Sequence, residues 1–127
     1  KVDYSDSNKS GDNTNNSRVF DFERLKQISL GDAMFEKDLL GDYLADAEHK
    51  LLVLREQLIA SDVKKIVDTA HTLKGSSYSV GAKLVGDEAL GIELSARNND
   101  IGNIEERLPK LSKSIEDTRN VLKDRLV

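Results

Sequence analysis

One short segment of the chain contains the residue types that could do chemistry. It runs from Ala70 to Ala82 with the sequence AHTLKGSSYSVGA. Gly75 costs about 1 kcal/mol relative to alanine inside a helix, and it is followed by two serines where good helix formers are expected. Helix stability alone therefore does not explain this composition, and a functional role is indicated.

The spacing in this segment places a histidine beside a cation and a gap. At about 100° per residue, His71 falls at the border between the core-facing stripe and the solvent. Lys74 and Gly75 are its i+3 and i+4 neighbours, so they share its surface patch. The glycine leaves room for a bulky group approaching the ring, and the lysine can neutralise an anion attached to it. The pattern suits a phosphoryl group.

An imidazole can accept a phosphoryl group because it offers a nucleophilic nitrogen. Histidine in model peptides has a pKa of about 6.5 and is largely neutral at pH 7. The lysine disfavours the competing imidazolium and offsets phosphate charge after transfer. The sequence has no Walker loop, kinase signature set or convincing magnesium cluster, so the donor, the acceptor and the metal are expected to come from other proteins.

The elements that position this segment are predicted to be helices. Apolar spacing and the residues between segments predict five of them, and no strand pattern competes. Their expected bounds are Asp21 to Ile28, Asp32 to Ala60, Ser61 or Asp62 to Gly81, Ala82 to Arg97, and Asp100 to Leu126. Short connections make neighbours antiparallel, so the fold class is all-α, an antiparallel up-and-down four-helix bundle with a short additional N-terminal helix.

Three features of the helical pattern carry further expectations. Pro109 removes a backbone donor and should kink the last helix or divide it. Phe35 and Tyr43 lie on the apolar stripe of the second long segment, so core packing is the leading interpretation for both. Gly86 and Gly91 lack the spacing of a nucleotide-binding loop and are better explained by helix entry and close packing.

Composition sets the broad class of the protein. The chain has 127 residues, no cysteine, and 19 basic against 23 acidic residues, for a net charge of −4. The acidity argues against a nucleic-acid partner, and no apolar run reaches the roughly 18 residues of a membrane span. Residues 1–17 include 13 Ser, Asn, Asp, Gly or Thr and should be disordered, with the folded domain over 18–127. The chain opens at Lys1, so it can be a piece of a longer polypeptide.

The segment HTLKGSSxSVGA resembles the phosphoacceptor motif of histidine-containing phosphotransfer (HPt) domains of two-component phosphorelays. The motif positions are filled by His71, Lys74, Gly75 and Gly81, with Gly81 in a structural role. A weaker resemblance in helix order extends over residues 20–126.

The resemblance implies a phosphocarrier. His71 would accept a phosphoryl group from the aspartate of one receiver domain and pass it to the aspartate of another, the partners being receiver domains of hybrid histidine kinases and response regulators. No cofactor on this chain and no autonomous ATP-dependent kinase activity are implied, and Mg²⁺ is expected on the receiver. Whether the carrier counts as an enzyme stays open.

The resemblance further implies that a receiver domain docks on a mostly apolar surface around the histidine. The contact candidates are Lys64, Val67, Ser76, Tyr78 and Phe35. The expected state is a monomer in the cytoplasm, and also in the nucleus if the chain is a eukaryotic shuttle. An alternative is a helical interaction module that binds receiver-like partners without phosphoryl transfer. His49, on a charged helix surface, is interpreted as structural or neutral.

Overall fold

The computed structural model describes residues 16–127. Most of the tail predicted to be disordered, residues 1–15, lies outside the described residues, and a helical turn occupies 16–19. The elements that follow are α1 (Phe22–Ser29), α2 (Ala33–Ile59), α3 (Val63–Val80), α4 (Lys83–Arg97), α5 (Ile101–Leu122) and a 3₁₀ turn (Lys123–Arg125).

An aspartate caps the first turn of α1, α2, α3 and α5. Asp21, Asp32 and Asp62 accept hydrogen bonds from backbone N–H groups three residues on, at 3.1, 3.0 and 3.2 Å. Asp100 does the same at the start of α5, at 3.1 Å. Each bond satisfies a donor that the first helical turn leaves without a partner. Of the two starts expected for the third segment, Ser61 and Asp62, the structure selects Asp62, which caps α3.

The four long helices form the predicted bundle. Their connections span only residues 60–62, 81–82 and 98–100, which forces neighbours to run antiparallel. α2 packs against α3 and α5, and α4 completes the ring between them. The all-α fold class, an antiparallel up-and-down four-helix bundle with a short additional N-terminal helix, is confirmed. None of the helices described is long and apolar enough to cross a membrane.

The core-facing side of α2 differs from the prediction at one aromatic residue. Tyr43 is 5% exposed, as expected, but Phe35 is 49% exposed, so the core interpretation of Phe35 is wrong. Leu40 and Leu44 are buried instead. At about 100° per residue, Phe35 lies roughly 140° around α2 from Leu40 and about 120° from Ala47, so its side chain points away from the buried stripe.

Pro109 does not divide the last long helix. It lies inside a continuous α5, so of the two expected outcomes, a kink or a division, the division is wrong. Both Pro109 and Glu105, whose carbonyl loses its usual donor, are exposed. Water can therefore satisfy that carbonyl at the outer face of the helix. α5 ends at Leu122, four residues before the expected end, and continues as the 3₁₀ turn.

Gly81 fixes the exit of α3 against the N-terminal segment. Its φ of +102° is in the left-handed region that favours glycine, and its carbonyl accepts from the Asp21 N–H at 2.7 Å. A Cβ at this position would lie 2.6 Å from the Asp21 carbonyl oxygen. Arg24 donates to the Ser79 carbonyl at 2.9 Å, and Phe20 is buried. The structural role predicted for Gly81 follows from these contacts.

Candidate functional site

His71 is displayed on the outer surface of α3. Its side chain is 61% exposed. One ring nitrogen, Nδ1, lies 3.1 Å from Oε2 of Glu93 on α4. The imidazole is therefore anchored on the bundle at one nitrogen while most of the ring faces solvent.

Glu93 is the buried centre of the site, and the sequence reasoning missed it. Its side chain is 5% exposed. Besides His71, its carboxylate contacts Lys74 Nζ at 3.0 Å through Oε1 and Arg97 Nη2 at 2.8 Å through Oε2. The available signal was a charged residue beside Ile92 on the inward stripe of α4, with an arginine four residues on.

The surroundings of Glu93 keep it ionised. Burial acts to raise the pKa of the carboxyl, but hydrogen bonds from Arg97, Lys74 and His71 outweigh burial and lower the pKa to about 2. A carboxylate in this state can only accept hydrogen bonds. At neutral pH the site therefore holds one negative charge beneath the histidine and two cations paired with it, which leaves one positive charge in excess.

The Glu93 carboxylate predicts a specific loss of stability in acid. A carboxyl whose pKa falls from 4.5 to about 2 on folding stabilises the native state above pH 4.5, and this contribution disappears as the pH falls through about 2. For this largely buried group the effect is of order 3 kcal/mol. Urea unfolding between pH 5 and 2.5 should show the wild type losing stability more steeply than Glu93→Gln. Parallel curves for the two proteins would contradict the assignment.

Lys74 is held by Glu93 rather than extended into solvent. Its side chain is 24% exposed. Its ammonium and the imidazole of His71 both contact the carboxylate of Glu93. The predicted cation next to His71 is therefore present. Arg97, a second cation on the same carboxylate, was not anticipated; its side chain is 54% exposed.

Removing the Lys74 charge should slow phosphoryl transfer without abolishing it. Lys74→Ala leaves Arg97 on Glu93, so we expect a rate loss of about tenfold or less, as for one partly exposed charge. Lys74→Arg should retain most of the rate. The matched control is Lys65→Ala, which removes an exposed cation from another side of α3. Transfer rates measured from a phosphorylated receiver that equal the wild-type rate in Lys74→Ala would show that the ammonium is dispensable.

The gap beside the histidine is also present. A Cβ added at Gly75 would meet nothing within 4 Å. Because Gly75 is one helical turn beyond His71, the space lies over the approach to the ring. The site thus combines an exposed imidazole, a buried carboxylate paired with two cations, and an uncovered surface.

Tyr78 lies two turns beyond His71 and is fixed in place by α4. Its ring occupies the space that a side chain at Gly86 would need, so the close packing predicted for Gly86 is confirmed. Its hydroxyl donates to Asp87 at 2.6 Å. Burial and this contact raise the pKa of Tyr78 to about 12, so the hydroxyl stays protonated. With 38% of its surface exposed, Tyr78 presents a rigid aromatic edge.

Of the other predicted contact residues on α3, two lie on the same side of the helix as His71 and one does not. Lys64 is exposed and Val67 is half-buried, and both precede His71 on its side of α3. Ser76 lies about 140° around the helix from His71. Its hydroxyl donates to the Leu73 carbonyl at 3.2 Å, so its placement adds no support to a contact role.

Phe35 lies in the first turn of α2, at the end of the bundle where α3 finishes. The hydrogen bond between Tyr43 and Ser77, at 2.6 Å, sets this antiparallel register. Two more apolar side chains near Phe35 are strongly exposed, Leu30 at 87% and Met34 at 80%. Sequence reasoning missed both residues. The available signal was a large apolar side chain in a position expected to face solvent: Leu30 belongs to a polar turn, and Met34 falls outside the apolar stripe of α2.

The fold and the site together define an all-α domain that presents a histidine on its surface rather than enclosing it in a cleft. Residues 38–121 match the Hpt domain family. The chain belongs to this family, and the resemblance seen in the sequence is confirmed.

Individual relatives agree with this membership. The chain is 31% identical over 108 residues to the phosphorelay intermediate protein rdeA of Dictyostelium discoideum, covering 85% of this chain and 42% of that protein. The chain thus spans about two fifths of that relative's length.

Two solved structures are similar to the bundle. Histidine-containing phosphotransfer protein B of Pseudomonas aeruginosa superposes with a TM-score of 0.79 at 25% identity, over 84% of this chain and 94% of that one. A histidine-containing phosphotransfer protein of Medicago truncatula has a TM-score of 0.78 at 20% identity, over 92% and 83% of the two chains. At 20% identity, the similarity to the second structure shows a shared fold.

Proposed function

We propose that this chain is a histidine phosphotransfer intermediate in a multistep two-component phosphorelay. His71 accepts a phosphoryl group from the aspartate of one receiver domain and passes it to the aspartate of another. The observation that carries the proposal is the exposed imidazole of His71, with Gly75 uncovered beside it and two cations within the same charge cluster. Membership in the Hpt domain family supports the same role.

The transfer needs little machinery from this chain. A ring nitrogen of neutral His71 attacks the phosphorus of the aspartyl phosphate; the P–O bond to the aspartate breaks as the P–N bond forms. In the onward step the carboxylate of the second receiver attacks, and the P–N bond breaks. We place the Mg²⁺ that such transfers use on the receiver. Within the described chain, no group of three or more His, Cys, Asp or Glu side chains could hold a metal ion.

The surface proposed to receive the partner is called here the docking face. It consists of Lys64, Val67, His71, Gly75, Tyr78, Leu30, Met34 and Phe35. Exposed apolar and aromatic side chains dominate its α2 end, and such patches mark protein interaction sites. Receiver domains of hybrid histidine kinases and response regulators are the proposed partners.

We also propose that the chain acts as a monomer, because its exposed apolar end is assigned to receivers rather than to a second copy. The absence of cysteine fits a reducing compartment, so we place it in the cytoplasm, and in the nucleus as well if it is a eukaryotic shuttle.

The test is a relay reconstituted from two receivers. A phosphorylated receiver is mixed with the chain, the donor is removed, and a second, unphosphorylated receiver is added. The proposal expects phosphate to move onto the chain and then onto the second receiver. Binding of receivers without movement of phosphate would instead identify the interaction module considered above.

A further inference from the structure

Beyond Tyr78, the docking face continues into a cavity lined mainly by charged side chains. The cavity has a volume of about 590 Å³ and lies where the helical turn 16–19, α1, the exit of α3 and the start of α4 meet. Arg18, Arg24 and Lys83 line it, and all three residues are exposed. These three residues are called here the basic rim.

Two carboxylates also line the cavity, and both are hydrogen-bonded within the chain. Asp21 accepts from the backbone N–H of Arg24 at 3.1 Å, and Asp87 accepts from the Tyr78 hydroxyl at 2.6 Å. Within residues 16–127, no ion pair joins a cation of the basic rim to a carboxylate. The lining thus carries three positive charges against two negative ones, in a chain whose net charge is −4.

The basic rim is held at a fixed distance from His71. Nε of Arg24 donates to the Ser79 carbonyl at 2.9 Å, which leaves the other N–H groups of the guanidinium for a partner. Tyr78 lies on the His71 side of α3 and lines the cavity as well. At 1.5 Å per residue, the helix covers about 15 Å between His71 and Gly81, which is also part of the lining.

A receiver centred on His71 would reach this cavity with its edge. A protein interface of standard size buries about 800 Å² on each partner, which corresponds to a disc of roughly 16 Å radius. The basic rim therefore lies at the perimeter, where charged side chains stay partly hydrated. Charges at such positions govern the rate of encounter and the choice of partner more than they govern affinity.

We propose that the basic rim is a specificity element that receives an acidic segment at the edge of the docked receiver domain. The inference rests on the proposed function, and it deepens that function by naming a feature that distinguishes one receiver from another. Positive charge extends from the rim toward His71, because Lys74 and Arg97 leave one positive charge in excess around Glu93. A receiver with carboxylates at the corresponding edge is attracted, and one with cations there is repelled.

The test reverses the charge of the rim with Lys83→Glu, Arg18→Glu and the double variant. Both positions are exposed, and an acidic side chain in the first turn of α4 is favourable, so the variants should melt no lower than the wild type. Arg24 is left unchanged because its guanidinium holds α1 on α3. The matched control is Lys65→Glu, which makes the same change in the first turn of α3, roughly 24 Å along that helix from its exit.

The probe is a receiver domain that passes phosphate to the wild-type chain, and the measured quantity is its association rate. At about 0.05 M salt, each single rim variant should associate several-fold more slowly than the wild type, and the double variant about tenfold more slowly. These differences should shrink in 1 M salt, where screening acts within about 3 Å. Lys65→Glu should match the wild type. Among receivers with one carboxylate replaced by lysine, at least one should associate faster with Lys83→Glu than with the wild type.

Rim variants that fold and associate at the wild-type rate would overturn the inference while the relay still runs. An equal loss in Lys65→Glu would also overturn it, because the loss would then report net charge rather than position. Binding of a labelled single-stranded oligonucleotide that Lys83→Glu abolishes, with receiver binding unchanged, would assign the rim to nucleic acid instead. If no receiver passes phosphate to the wild-type chain, the proposed function itself is contradicted, and this inference with it.

Discussion

His71→Gln is expected to accept no phosphate from a phosphorylated receiver and to fold like the wild type. Glutamine has no ring nitrogen able to attack phosphorus, so labelling should fall below detection. Because the His71 side chain is largely exposed, the change opens no cavity in the core. Glu93 keeps Lys74 and Arg97 as partners, so the free energy of unfolding should change by no more than about 1 kcal/mol.

His49 provides the matched control for this substitution. It is the second of the two histidines in the chain, and it is exposed on α2. His49→Gln should accept phosphate at the wild-type rate. The measurement is transfer of labelled phosphate from a receiver, with circular dichroism melts of both variants. Equal labelling of wild type and His71→Gln would refute the assignment of the phosphoacceptor.

Gly75→Leu should fold well and transfer poorly. The position opens onto solvent, so a leucine there meets no clash within the chain and should stabilise the helix by about 0.5–1 kcal/mol. The same side chain would project over the approach to His71 and hold a receiver away from the ring. Because a displacement of about 1 Å can cost roughly 100-fold in rate, we expect a loss of that order.

Gly41→Leu separates the steric effect from the change in helix stability. Gly41 is also exposed, also helical and also open to an added Cβ, but it lies on α2 about 120° around the helix from Phe35. Both variants should melt at least as high as the wild type, and only Gly75→Leu should lose transfer from a receiver. Phosphoramidate, a small donor, should still label Gly75→Leu. Unimpaired transfer from receivers to this variant would count against an open approach at Gly75.

The bundle could be predicted from the sequence because its determinants are local. Aspartate caps at Asp21, Asp32 and Asp62, the left-handed exit at Gly81 and apolar spacing within each segment are all visible without knowing which helices meet. The phosphoacceptor was predictable for a related reason. His71, Lys74 and Gly75 lie within one turn of one helix, so their spacing alone places them together.

The rest of the site depends on contacts between helices. Glu93 is 22 residues from His71, and only the packing of α4 on α3 brings the two side chains together. The packing of α4 on α3 also brings the ring of Tyr78 against Gly86. The prediction placed Phe35 in the core because a spacing of four residues links it to Leu39, whereas the buried face passes through Leu40 and Ala47. The continuity of α5 through Pro109 depends on solvent at the outer face, which spacing cannot show.

The measurement that tests the central claim most directly is the position of the phosphate on the wild-type chain. The protein is incubated with a phosphorylated receiver, and the modified residue is mapped by mass spectrometry under alkaline conditions that preserve phosphohistidine. The account predicts one acid-labile, alkali-stable phosphate, located on His71. Phosphate found on His49 or on a carboxylate, or none on a chain that binds the receiver, would contradict it.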